Sequence, residues 1–353
     1  MKASIVIGAN YGDEGKGTVV AHLARNCDNV LNILTNGGSQ RGHSILTKDG
    51  SITFQHFGSG TYYGADNYYS PWFILNPIQF VDEYSKLIVK PKNIYRDRRC
   101  RWSTPYDVMA NLITEEQMGR KASCGMGIWF TIQRCNKMPI MFFDEFIKRT
   151  YYQQKYLHEV KKYYEKFVTI PDSWRNTWNS DTLISHFIRD CQTMYELTKV
   201  ADLSTLTYDN LIFENGQGLL LSDTGKDTAD TTPSNTSIYY ALKMIKEINV
   251  NDVTAHYVTR PYLTRHGDGE IQNELDRTVL SDNIPEDRTN HYNDHQGKFR
   301  YGKLDIEQLR ERVVTDSRGI NFIVDVTHCD EMDRVSEFKK VFDSVCTYDN
   351  PLV

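Results

Sequence analysis

The stretch that most constrains this chain is Gly8-Ala-Asn-Tyr-Gly-Asp-Glu-Gly-Lys-Gly-Thr18, which follows the apolar run Ser4-Ile-Val-Ile7. An apolar run ending in a glycine-rich loop reads as a buried strand feeding a helix. Glycines let backbone N–H groups turn toward a ligand, and the helix N-terminus adds partial positive charge, so the loop is a phosphate cradle. In open α/β sheets such a loop lies at the carboxyl edge of the strands, where ligands bind. The Walker spacing is not met, since Gly17 rather than Ser or Thr follows Lys16. The loop also carries Asp13 and Glu14 ahead of Lys16. A carboxylate among phosphate-binding amides is repelled unless a cation sits between them, and Mg²⁺ suits one or two carboxylates plus phosphate oxygens. The same carboxylate can take a proton from a substrate atom about to be phosphorylated. Glu14 is expected to cap the helix N-terminus.

Further apolar runs at 30–34, 210–213, 254–258 and 320–326 alternate with helical periodicity at 18–25, 237–248, 305–314 and 331–345. That alternation predicts an α/β fold with a mostly parallel central sheet flanked by helices. A Tyr- and Lys-rich helical block at 142–168 and 181–200 reads as a helical insertion within one elaborated domain spanning 1–353. Tyr62, Tyr63, Trp72 and Phe73 are expected in the core or an interface. The formal charge of −5 gives no support to nucleic-acid or anionic-membrane partners. Seven cysteines, with no Cys-x-x-Cys pair, fit reduced thiols rather than a disulfide framework. With no long apolar run and no signal-peptide core, the expected location is cytoplasmic, in a host cytoplasm if the chain is viral.

A second glycine-rich loop, Thr35-Asn-Gly-Gly-Ser-Gln-Arg-Gly-His-Ser44, follows the next strand and brings His43 to the same sheet edge. Here the residues carry a resemblance. Gly12-Asp-Glu-Gly-Lys-Gly17 and Gly42-His43 resemble the adenylosuccinate synthetase family, whose loops read close to W-G-D-E-G-K-G and N-A-G-H. Weaker matches follow in order. They are Ser123-Cys-Gly-Met-Gly-Ile128, Glu214-Asn-Gly-Gln-Gly-Leu-Leu-Leu221, Thr232-Pro-Ser-Asn-Thr236, Thr264-Arg-His-Gly-Asp-Gly-Glu270 and Arg300-Tyr-Gly-Lys-Leu-Asp305.

The resemblance implies a P-loop-related, adenylosuccinate-synthetase-like fold and a purine nucleotide–aspartate ligase. A nucleoside triphosphate phosphorylates the 6-oxo group of a purine monophosphate, and L-aspartate then displaces the phosphate. On that implication Asp13 is the base and His43 steadies the phosphoryl oxygens, with Mg²⁺ on Asp13 and the Gly42 carbonyl. The triphosphate falls to Gly12, Asp13, Glu14, Gly15, Lys16, Gly17, Thr18, Gly42, His43, Ser44, Thr327 and Asp330. The purine monophosphate falls to Asn10, Asp13, Lys16, Gln40, Arg41, Ser123, Cys124, Arg134, Gln217 and Thr232, with Arg134 lent by the partner of a homodimer. L-Aspartate falls to Asn293, Gln296, Gly297 and Arg300.

The chain departs from the family in three places. Thr327-His-Cys-Asp330 replaces the T-K-x-D segment that recognises guanine of GTP, which opens the donor site to ATP or dATP. The arginine-rich loop is reduced to Asn290-His-Tyr-Asn-Asp-His-Gln-Gly-Lys-Phe-Arg300, and its first arginine, which reaches the ribose 2′-hydroxyl, falls on Gly297. Little chain follows Asp330. Together these resemble a bacteriophage branch that acts on dGMP and makes N6-succino-2-amino-2′-deoxyadenylate. The alternative is the ordinary enzyme using IMP, L-aspartate and GTP, which the retained Asp13 keeps in play, since some phage members carry Ser there. A P-loop kinase or an inactive nucleotide sensor would use the same cradle.

Overall fold

The computed structural model describes residues 1–48, 50–119, 123–223, 231–267, 269–284, 287, 290, 297–329, 332 and 334–348. Its centre is a nine-stranded sheet. From one edge the order is Val345–Tyr348, Phe322–Thr327, Asp252–Thr259, Lys2–Gly8, Asn210–Gly218, Val30–Leu34, Asp66–Tyr69, Ile94–Arg96 and Lys199–Val200. Every neighbouring pair in it is parallel. The Lys2–Gly8 strand lies in the middle, paired with Asn210–Gly218 on one side and Asp252–Thr259 on the other.

Parallel strands buried on both faces read as continuous apolar runs, and Ile5, Val6 and Ile7 are each fully buried. Alternation sends Ile5 and Ile7 to one face and Val6 to the other. The first face packs with Phe213 and Tyr257 against Ala241 and Met244 of the Tyr239–Ile248 helix and Leu309 and Val313 of the Ile306–Ser317 helix. The second meets Val19, Val20 and Ala24 of the Lys16–Arg25 helix. A helical layer runs from Pro105–Met118 to Asp181–Leu197 around Trp102, Trp178 and Phe187. Phe73 is fully buried there, while Trp72 stacks on Tyr240 and Tyr63 is 40% exposed.

Two readings of the sequence are corrected. Among the described residues of 331–345 the helix is Val335–Val341, and Val345–Tyr348 forms an edge strand instead. The strand Asp66–Tyr69 escaped detection because its polar start hides the apolar signal. Asp66 binds Asn93 and the Tyr208 hydroxyl, and Asn67 holds Gly58 N and Thr61 Oγ1, so both are buried with their partners made.

Candidate active site

The loops that follow the Lys2–Gly8, Val30–Leu34, Asp252–Thr259 and Phe322–Thr327 strands converge on one cleft of about 540 Å³, open mouth included. It is lined by Gly12, Asp13, Gly15, Lys16, Gly17, Thr18, Gly42, His43 and Ser44 from the two glycine-rich loops, and by Arg260, Asn290 and His328 from later segments. The helix that starts at Lys16 has no side-chain cap; Gly15 takes its N-cap place at φ 87°, a left-handed conformation suited to glycine. An uncapped N-terminus in a cleft presents its N–H groups and positive dipole end to an anion. Gly17 lets this helix approach the second loop, since a Cβ there would stand 2.6 Å from Ser44 O.

The acidic pair divides its labour. Asp13 is half-buried and lines the cleft. Glu14 is 2% exposed and turns beneath the loop, accepting from Asn10 N at 2.9 Å and Gly12 N at 2.8 Å, with Lys16 Nζ 3.6 Å from its other oxygen. Glu14 therefore clasps the loop and does not cap the helix, which corrects the reading of its role. Burial pushes the Glu14 carboxyl up, and Lys16 and the two amides oppose that. Three of the loop's carbonyls are held from outside, as Arg312 Nε donates to Ala9 O at 2.9 Å, Arg260 Nε to Asp13 O at 2.8 Å and Thr327 Oγ1 to Glu14 O at 2.5 Å, while Lys16 Nζ of the loop itself donates to Gly12 O at 2.5 Å. Asn10, fully buried, donates Nδ2–H to Thr259 Oγ1 and accepts from Arg312 Nη2 through Oδ1.

His43 stands opposite on the second loop, with Nδ1 2.5 Å from Glu214 Oε1. Glu214 is fully buried, is ion-paired with Arg41 Nη2 at 3.0 Å, and accepts from Asn32 Nδ2 at 2.9 Å, Ser59 N at 3.1 Å and Ser59 Oγ at 2.8 Å; Arg41 Nη2 also lies 3.0 Å from His43 Nδ1. Burial raises the Glu214 carboxyl, but Arg41 and these donors outweigh it and leave it at about 2. Burial and then the Arg41 guanidinium hold His43 down to about 4. His43 thus rests neutral, donating Nδ1–H to an ionised carboxylate and keeping a lone pair on Nε2.

The monophosphate set is brought together only in part. Gln217, at φ 56°, points Oε1 toward Gly37, where Gln40 Nε2 also arrives; a Cβ on Gly37 would stand 3.5 and 3.1 Å from them. Both amide atoms of Gln40 and Oε1 of Gln217 are buried without a partner, so this corner holds polar groups awaiting a ligand. Cys124 Sγ lies 3.6 Å from Gln40 O, and Ser123 Oγ bonds the Asn111 amide. Thr232 joins the adjoining Leu221 turn through its N–H.

Two arginines leave this set. Arg41 is 2% exposed and turns inward, to Glu214 and to within 5.9 Å of the Phe73 ring. Arg134, also 2% exposed, binds Asp107 through Nε at 2.7 Å and Nη2 at 3.0 Å, the Tyr156 hydroxyl and Trp102 O. Its guanidinium is spent inside its own chain, so the expectation of an Arg134 lent to a partner's site is corrected. A buried charge goes where its counter-charge and acceptors are.

At the far rim, Thr327 is 1% exposed and buttresses the first loop rather than facing the cleft, whereas His328, at φ 57°, lines it. Arg300 pairs with Glu274 at 2.9 Å and donates to Gly269 O, and its Nε is buried without a partner. Gly297 adopts φ 69°. Asn293, Gln296 and Asp330 lie outside the described residues. Sequence reading missed Glu214 as the His43 partner, Arg312 and Arg260 as braces, and Asn290 as a lining residue. Only Glu214 carried a signal, as the first residue of its motif.

The model of the family described as adenylosuccinate synthetase matches residues 5–347. The curated adenylosuccinate synthetase of Dehalococcoides mccartyi (strain ATCC BAA-2266 / KCTC 15142 / 195) is 31% identical over 126 residues, covering 35% of this chain and 29% of that protein. That of Alkaliphilus metalliredigens (strain QYMF) is 25% identical over 292 residues, covering 79% of this chain and 67% of the relative. Among solved structures, fully ligated adenylosuccinate synthetase from Plasmodium falciparum superposes with a TM-score of 0.74 at 18% identity, over 95% of this chain and 78% of that one. Cyanophage S-2L succinoaminodeoxyadenylate synthetase (PurZ), bound to dGMP and dATP as an energy donor, gives 0.67 at 11% identity, over 99% and 91%. At these identities the two structures speak for the fold alone.

Proposed function

Because the chain belongs to the adenylosuccinate synthetase family, we propose that it is a carbon–nitrogen ligase joining L-aspartate to C6 of a purine nucleotide, dGMP, with consumption of a nucleoside triphosphate. One observation carries the reading: Asp13 and His43, from separate loops, line a single cleft with an uncapped helix N-terminus. Asp13 takes the N1 proton of the purine as O6 attacks the γ-phosphorus, and the nucleoside diphosphate leaves. The aspartate amine then adds at C6 and inorganic phosphate departs, giving N6-succino-2-amino-2′-deoxyadenylate. The incoming phosphates add negative charge beside His43 and favour its imidazolium, with Glu214 already in place as counter-ion. Its Nε2–H then donates to phosphoryl oxygens as charge develops, and Lys16 and the helix N-terminus hold the rest of the triphosphate.

Asp13 and Gly42 both line the cleft, and the Asp13 carboxylate with the Gly42 carbonyl would be a donor set suited to Mg²⁺ completed by phosphate oxygens, an ion that would neutralise charge on the transferring group. ATP, dATP or GTP serves as donor, and a homodimer is part of the proposal. The choice of dGMP rests on Gly297. Its φ of 69° is a conformation an arginine adopts only with strain, so the family's ribose-hydroxyl ligand is absent at this place. A missing hydrogen bond to a charged group is worth roughly 1.5–3 kcal/mol, enough to relax selection against a 2′-deoxynucleotide. The retained Asp13 favours the second reading, IMP as substrate.

A competition assay separates them. Protein, Mg²⁺ and L-aspartate are mixed with equal dGMP, GMP and IMP and with ATP or GTP, and products are identified by mass. A succinylated product from dGMP is expected. Product from IMP alone overturns the dGMP reading, and phosphorylation without aspartate overturns the ligase.

A further inference from the structure

Arg260 follows the Asp252–Thr259 strand at the carboxyl edge of the sheet and is 2% exposed. Its guanidinium reaches three ways. Nε donates to the Asp13 main-chain carbonyl at 2.8 Å, Nη2 to Asp287 Oδ2 at 2.8 Å and Nη1 to the Tyr262 hydroxyl at 3.2 Å. The Tyr262 and Phe299 rings lie 5.7 and 5.6 Å from its central carbon. Asp287 in turn accepts from Asn290 N at 3.0 Å and Asn290 Nδ2 at 3.2 Å. Arg260, Asp13 and Asn290 all line the cleft.

One planar group therefore spans two parts of the chain that sequence keeps apart. On one side is the loop that bears the Asp13 carboxylate. On the other are Asp287 with its partner Asn290, and Phe299 beside Arg300. A cation needed only to neutralise Asp287 would have no use for the donor directed at Asp13 O. The neighbouring carbonyls Ala9 O and Glu14 O are held instead by Arg312 and Thr327.

We propose that Arg260 is a positioning residue that keeps the Asp13 main chain in register with Asp287, Asn290 and Phe299, the neighbour of Arg300, so that proton removal at the purine and delivery of the amine are aligned by one guanidinium. The proposal rests on the ligase reading above. Lysine cannot take over the role, because an ammonium is a point donor and does not fork across a carbonyl and a carboxylate held in different directions.

The test uses the full chain with Arg260→Lys and Arg260→Met. Turnover should fall about tenfold or more in both, the KM for L-aspartate should rise about fivefold, and the KM for the triphosphate should move less than about threefold. Hydrogen exchange of the peptide covering residues 8–18 should quicken in both variants. Lysine at wild-type turnover, or a loss confined to the triphosphate KM, overturns the proposal. If the methionine variant does not fold, the lysine variant alone decides. If the wild type uses neither dGMP nor IMP, the ligase reading fails, and exchange in residues 8–18 still judges the tie: faster exchange upholds it and unchanged exchange overturns it.

Discussion

His43 rests on Glu214, with Nδ1 2.5 Å from Oε1, an oxygen also ion-paired with Arg41 Nη2 at 3.0 Å. A permanently charged guanidinium thus keeps the carboxylate ionised while the imidazole stays neutral. The loop that carries His43 and the strand that carries Glu214 are fastened at the point where phosphoryl charge would develop.

Glu214→Gln should be costly on two counts. It leaves Arg41 buried without a full counter-charge, a change worth about 3–5 kcal/mol, and it removes the acceptor that sets the His43 tautomer. Urea unfolding and turnover should both fall, and a variant equal to wild type in both would refute the role given to Glu214.

The same carboxylate sets an acid limit. Its folded value of about 2 lies below its ordinary 4.5, so the folded state binds fewer protons between those values and stability falls as pH drops through that window. By linkage this carboxyl contributes about 3 kcal/mol above pH 4.5 and loses it toward pH 2, a contribution the glutamine variant lacks. The stability gap between wild type and Glu214→Gln, followed by urea unfolding, should therefore narrow on acidification.

Asp13→Asn should spare the fold and abolish turnover. Its carboxylate lines the cleft, while its main-chain oxygen keeps the Arg260 hydrogen bond in either variant. General-base catalysis is worth about 10²–10⁴-fold, so the loss should reach at least that scale with the melting temperature almost unchanged. Retained turnover would remove Asp13 as the base.

Arg134→Met tests the correction made above. Breaking a buried pair by deleting one partner costs about 3–5 kcal/mol, because Asp107 keeps its charge in the interior. The expected result is a large drop in unfolding free energy. Mixing this variant with an Asp13→Asn variant should restore no activity through a shared site; recovery would return Arg134 to the partner's active site.

Gly15→Ala should weaken triphosphate binding. At φ 87° an L-residue is strained by about 1–2 kcal/mol, and its Cβ would press on Thr327 at 3.2 Å. Calorimetric titration with Mg²⁺ and ATP measures the effect, and unchanged affinity would show that the cradle does not depend on this turn.

How much of this was legible beforehand differs from element to element. Strand, loop and helix over Lys2–Arg25 follow from an apolar run, a set of glycines and a 3.6-residue period, all properties of adjacent residues. So does the meeting of Gly12–Thr18 with Gly42–Ser44 in one cleft, since parallel strands bring their following loops to a common edge. The Asp66–Tyr69 strand was hidden because its polar side chains are satisfied by partners far along the chain.

By itself, then, the sequence determined the α/β framework and the chemistry of its loops, because backbone periodicity and glycine conformations are local. Only the tertiary structure decided which charged groups face the cleft. Arg41 and Arg134 turn inward, Glu14 and Thr327 brace the loop, and Arg260 reaches it from 247 residues away. A buried charge settles where its acceptors and counter-charges are, and for these residues the folded packing brought most of those partners in from remote segments.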